Sequence, residues 1–272
     1  MRELGTERIL SATALYEEGL AAFRSGDQER SRQLNDQVLI IGRELDDPAT
    51  MVRGLIGLSR IAFRDQDHAT VRALCAEATP YWEQLDDTSQ VTSPIHLLAE
   101  SARLEGNLVQ ARVYYDQSIA YNQEVGNEGM LAIEFNNKAL LEIQAGNLDE
   151  ADGLARRSLQ LVRSGNVQGP RGLRPTDGAY CLLALGAIRA RKGDAGRAAS
   201  LLAAAEAILT SNGAIFDPGD QPLFDESKAL ATNQLGEGRF VKAWQEGAIM
   251  SADQAFKVAL GDAAMEPGEQ SG

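Results

Sequence analysis

A turn-like pair of residues returns along this chain at a fixed interval. Gly26-Asp27, Gln66-Asp67, Gly106-Asn107 and Gly146-Asn147 stand forty residues apart, and Gly193-Asp194 and a Gly-rich turn from Gly236 to Gly238 continue the series at wider steps. Self-similarity at such a period is the mark of a repeat array, in which one supersecondary unit is stacked many times. Glycine permits the left-handed conformation that ends a helix, and the Asp or Asn after it can cap the first turn of the next. Each pair therefore reads as the turn of a helix-turn-helix hairpin.

The flanks of the turns support hairpins. Two antiparallel helices on a short turn pack closely only where small side chains face each other. Seven residues before the turns stand Gly19, Ser59, Ala99, Ala139, Gly186 and Ala231, the last counted from Gly238. Five residues after them stand Ser31, Val71, Ala111, Ala151, Ala198 and Ala243. Four residues ahead of the first set, Leu15, Leu55, Ile95, Phe135 and Leu182 extend an apolar stripe along the same helix face, the expected core. Alanine and leucine dominate the hydrophobic residues, aromatics are 6% and β-branched runs are scarce, so the fold class expected is all-α.

The run from Leu98-Ala99 through Glu105-Gly106-Asn107-Leu108 to Ala111 and Tyr115, and that from Ala139 through Gly146-Asn147-Leu148 to Ala151, resemble the tetratricopeptide repeat family. The period exceeds that family's usual ~34 residues. Longer helices would account for the excess, as would longer connections such as Glu44 to Pro48 and Glu83 to Ser93. The resemblance implies a right-handed superhelical stack of about six hairpins over residues 1–260, with a concave wall formed by the first helix of each. The stretch from Gly193-Asp194 through Arg197-Ala198-Ala199-Ser200-Leu201-Leu202 to Glu206, with Ala243-Trp244-Gln245-Glu246-Gly247 and Ala259-Leu260, resembles something narrower. It is similar to the C-terminal helical-repeat region of bacterial ATP-dependent regulators of the MalT and LuxR-like type. That likeness implies a sensor or protein-interaction module. No phosphate loop precedes the repeats and no DNA-binding helix-turn-helix domain follows Leu260, so neither ATP nor DNA chemistry is expected of the chain.

The period is broken once. Gly165, Gly169, Pro170, Gly172, Pro175 and Gly178 make 164–178 an expected inter-repeat loop, whose Arg171 and Arg174 are candidates for touching a ligand. A second loop is expected from Asn212 to Gln221, and 261–272 is expected to be a disordered tail. Acidic residues outnumber basic ones, 39 to 26, and a net charge of -13 argues against direct nucleic-acid binding. Cys75 and Cys181 have no metal-type spacing and read as buried free thiols. No leader opens the chain and no run nears the ~18 apolar residues of a membrane span, so a cytoplasmic location is expected.

Chemistry is hard to find. Only His68 and His96 are available as imidazole bases, with His68 expected to be exposed at its turn, and no nucleophile, zinc or redox motif is present. No cofactor and no metal site is expected. Asp46-Asp47 and Asp86-Asp87 read as helix caps, and Glu17-Glu18 as a solvated face. The concave positions are more informative. Counted from the small residues they are Tyr16, Leu20 and Phe23; Arg53, Ile56, Arg60 and Phe63; His96, Glu100 and Arg103; Ile133, Asn136, Leu140 and Ile143; Tyr180 and Leu183. Arg53, Arg60 and Arg103 with His96 would form a cationic cluster in an acidic protein, suited to carboxylates or phosphates. Glu100 would neutralise Arg60 or Arg103 on the bland reading.

The expectation is a non-catalytic scaffold or sensor that binds a protein or peptide, with acidic groups, through Arg53, Arg60, Phe63, His96, Glu100, Arg103, Asn136 and Tyr180. The alternative is a regulator whose superhelix encloses a small molecule.

Overall fold

The computed structural model describes residues 2–85, 92–164, 173–174 and 176–261, of which only the backbone is described at 2–4. Among the described residues it is an all-α helical-repeat fold of thirteen helices with no strand. The first helices of the hairpins are α1 (Arg2–Ser25), α3 (Pro48–Arg64), α5 (Pro94–Leu104), α7 (Glu128–Ala145), α9 (Asp177–Arg191) and α11 (Gln221–Leu235). Their partners are α2 (Gln28–Leu45), α4 (His68–Trp82), α6 (Leu108–Glu124), α8 (Leu148–Ser164), α10 (Ala195–Ser211) and α12 (Glu237–Ala248). A last helix, α13 (Ala252–Leu260), belongs to no hairpin. Residues 86–91, including Asp86-Asp87, most of 164–178 with Arg171, and the tail beyond Gly261 lie outside the described residues.

The turns are built as their residues dictate. Gly26, Gly106, Gly146, Gly193 and Gly236 all have φ between 76° and 87°, and Gln66 takes the same left-handed place at φ 59°. Asp27, Asp67 and Asp194 then accept a hydrogen bond from the backbone N–H three residues on. Asp47 caps α3 in the same way, while Asp46, at φ 52°, ends α2. Gly126-Asn127 repeats this geometry between α6 and α7. The connection from Glu44 to Pro48 is thus as tight as a hairpin turn, and helices of 17 and 18 residues such as α2, α3, α7 and α8 lengthen the period there, whereas between the shorter α4 and α5, of 15 and 11 residues, the connection from Glu83 to Ser93 makes up the length. At the start of the chain, α1 begins at Arg2.

Two compact units emerge, 1–120 and 121–272. In the first, α1 packs on α2 and α3, and α3 on α2, α4 and α5. The small residues at its crossings are buried, Ser31, Ser59, Val71, Ala99 and Ala111 each at 1% exposure or less. Three glycines absent from the turn pattern, Gly42, Gly54 and Gly57, bring α2 and α3 together. A Cβ on Gly54 would stand 2.8 Å from the Leu39 backbone nitrogen. In the second unit α9 is the central helix, in contact with α7, α8, α10, α11 and α13. The helix α13 turns back after α12 and packs on α8, α9 and α10. Ala255 and Ala259 are buried there, and the Phe256 ring fills the space above Gly178, where a Cβ would come within 2.4 Å of it.

Candidate functional site

In the first unit, α3 is enclosed on nearly every side. Beyond its first turn only Arg53, Arg60, Phe63 and Arg64 reach solvent, and every residue between them is buried. Arg60 and Arg64 are one turn apart and Arg53 lies two turns before Arg60, so the three guanidinium groups fall along one face. This face is shared with α1 and α5. Arg60 donates through Nη1 to the Tyr16 hydroxyl of α1 at 2.8 Å and through Nη2 to Thr92 Oγ1, just ahead of α5, at 2.7 Å. Arg64 lies 3.7 Å above the centre of the Phe23 ring and donates to the Phe23 carbonyl at 2.6 Å.

None of the three is ion-paired among the described residues. Arg8, Arg30, Arg32, Arg43 and Arg72 of the same unit each meet a carboxylate, from Glu44, Glu18, Asp65, Glu77 and Glu105. The central helix of the second unit also differs. Its half-buried arginines are matched, Arg189 to Asp152 at 2.8 Å and Arg191 to Glu226 at 3.0 Å. Uncompensated charge on a central helix is therefore a property of α3.

The remaining expected residues of the first unit split from this row. Glu100 and Arg103 are buried, 9% and 6% exposed, and paired at 3.2 Å, while the Tyr115 hydroxyl also donates to Glu100. Burial alone would raise the Glu100 carboxyl. The charges of Arg103 and then His96, with the bonds from Tyr115 and Arg103, outweigh it and hold the group below its ordinary range. Glu100 thus neutralises Arg103 and leaves Arg60 alone. His96 is half-buried beside this pair, and Phe63 stands among the α3 arginines. His68 is not exposed as expected. It is partly buried, with Nδ1 2.9 Å from Ser101 Oγ, and links α4 to α5. Ser101 is 1% exposed, so this Ser-His contact offers no path to a substrate carbonyl.

In the second unit Asn136 is 5% exposed, and its Oδ1 has no hydrogen-bond partner among the described residues. Tyr180 donates to Asp217 Oδ2 at 3.0 Å, accepts from the Asp217 amide at 3.2 Å and meets the Phe216 ring edge-on. Burial, and then the Asp217 charge, push its phenol up. Tyr180 therefore latches the 212–220 loop to α9. Ile56, Leu140, Ile143 and Leu183, expected on the open wall, belong to the core at 4% exposure or less. Arg174 pairs with Asp177 at the start of α9. Both thiols are buried, and burial pushes Cys75 up to about 11 and Cys181 up to about 12.

Arg64 and Thr92 were missed in the sequence. Arg64 lies four residues after Arg60, a helical signal that could have found it, whereas nothing local ties Thr92 to Arg60 across 32 residues.

No protein-family model and no curated relative matches the sequence. Among solved structures the chain is similar to BtubC (BKLC) from P. vanneervenii, with a TM-score of 0.52 and 16% identity over 86% of this chain and 93% of that one. At this identity the likeness concerns the fold alone. No helix among the described residues is long and apolar enough to cross a membrane.

Proposed function

We propose that the chain is a non-catalytic binding scaffold of tetratricopeptide type, from a bacterial regulatory system in the cytoplasm, which captures an acidic protein or peptide segment on the face shared by α1, α3 and α5. The observation that carries this reading is the row Arg53, Arg60 and Arg64, uncompensated among the described residues on a helix that beyond its first turn is otherwise buried but for Phe63. A half-buried guanidinium without a carboxylate is an unfilled bidentate donor. Phe63 in the same row adds apolar surface for the rest of a segment, the mixture usual in a binding groove. The resemblance of the repeats to sensor regions supports the regulatory part, and two buried free thiols suit a reducing compartment.

The test is a titration of the whole chain with a fluorescent glutamate-rich peptide and its glutamine counterpart. The glutamate peptide is expected to bind and its counterpart is not, and Arg53→Gln with Arg60→Gln should weaken binding by at least about tenfold. Equal binding by the double variant would move the site elsewhere. Binding of a small dicarboxylate in place of the peptide would favour a metabolite-sensing regulator.

A further inference from the structure

Arg60 differs from its neighbours in how it is held. Both of its acceptors are neutral hydroxyls, and both are buried, Tyr16 at 3% and Thr92 at 5% exposure. A carboxylate partner would cancel the charge, but a hydroxyl fixes the planar fork and leaves the charge in place. Two of the five guanidinium N–H groups are used, so three remain to be donated. Arginine loses rotamer freedom when it binds a ligand. Here that freedom is already restricted by two hydrogen bonds, one to α1 and one to the approach to α5. Arg53 makes no such bond among the described residues, and Arg64 is held by one carbonyl and one ring.

Spacing adds the kind of ligand. At 1.5 Å per helical residue, Arg53 lies about 10 Å from Arg60 along the axis and Arg64 about 6 Å. Such a row does not converge on one phosphate. The Arg60–Arg64 step matches anionic groups on an extended chain, whose same-side residues recur about every 6.6 Å, and the longer step to Arg53 lies between one such interval and two, within reach of long side chains.

We infer, resting on the acidic-segment reading above, that Tyr16 and Thr92 are positioning residues that fix the Arg60 guanidinium as the anchor of an extended acidic segment, with Arg53 and Arg64 meeting further anionic groups to either side.

Four variants of the whole chain, Tyr16→Phe, Thr92→Val, Thr92→Ser and Arg60→Lys, test this against the glutamate-rich peptide and inorganic phosphate, with the Tm of each recorded. Arg60→Lys keeps the charge and loses the fork, so its affinity should fall about tenfold. Tyr16→Phe and Thr92→Val keep the arginine and should each lose about three- to fivefold, while Thr92→Ser, which keeps the hydroxyl, should bind like the parent. These losses should not follow the order of the Tm changes, as they would if the hydroxyls only stabilised the fold. Parent-like affinity in Tyr16→Phe, Thr92→Val and Arg60→Lys would overturn the inference and leave the binding face standing. Phosphate competing as well as the peptide would overturn the extended-chain part. Absence of peptide binding by the parent would overturn the reading beneath both.

Discussion

Gln66 sits at φ 59° where the sister turns have Gly26, Gly106 and Gly146 at φ 77° to 87°. A side chain in the left-handed region costs roughly 1–2 kcal/mol, partly offset because glycine frees the unfolded chain. Gln66→Gly should therefore raise the unfolding free energy by up to about 1 kcal/mol, seen as a higher urea midpoint; a lower midpoint would show that the Gln66 side chain is worth more than the strain. This turn was legible by its interval alone, although the residue broke the pattern. Glu100 was less legible. Its position marked it as a wall residue, but the partner that buries it, Tyr115, comes from the next helix. Its carboxyl is held below the ordinary value of 4.5, so the stability it contributes is complete above that pH and is lost as pH falls through the lower folded value. Glu100→Gln should remove this part of the acid limb, and should cost about 3 kcal/mol at neutral pH by breaking the buried Glu100–Arg103 pair. An unchanged acid profile would show that Glu100 titrates alike in both states.

Between elements, what decides a substitution is whether the neighbour can yield. A Cβ on Gly178 would meet the Phe256 ring at 2.4 Å, the far end of a side chain on α13. On Gly247 of α12 it would meet the Ser200 carbonyl oxygen at 2.2 Å and the Ser200 Cα at 2.6 Å, which are backbone atoms of α10. Gly178→Ala should thus loosen α13, raising amide exchange over 252–260, and adding Phe256→Ala should reduce the misfit. Gly247→Ala has no such relief and should cost about 3 kcal/mol or more, as overpacking does where nothing can move. If Phe256→Ala fails to relieve Gly178→Ala, the ring is not what holds α13 in place. Hairpins were readable because their contacts lie a fixed distance from a turn. The return of α13 onto α8, α9 and α10 was not, because it depends on a glycine at 178 and a phenylalanine at 256, and no local period connects them.

For the molecule as a whole, a repeat array distributes stability locally, since apart from the returning α13 each helix pair touches mainly its neighbours. The chain carries its own reporters of this, one thiol per unit: Cys75 in 1–120 and Cys181 in 121–272. Both are buried and pushed up to about 11 and about 12, so at neutral pH neither is a thiolate and each reacts only when its surroundings open. Alkylation of the native protein should be slow at both sites and fast at both in denaturant. Gly247→Ala strains the second unit, so it should accelerate labelling of Cys181 and leave Cys75 near its parent rate. Gln66→Gly relaxes a turn in the first unit and should slow Cys75 alone. Peptide mapping of the labelled cysteines separates the two rates. Equal acceleration at both thiols in Gly247→Ala would mean that the chain opens as one cooperative body, and that strain placed near α12 is felt at the α3 row as well.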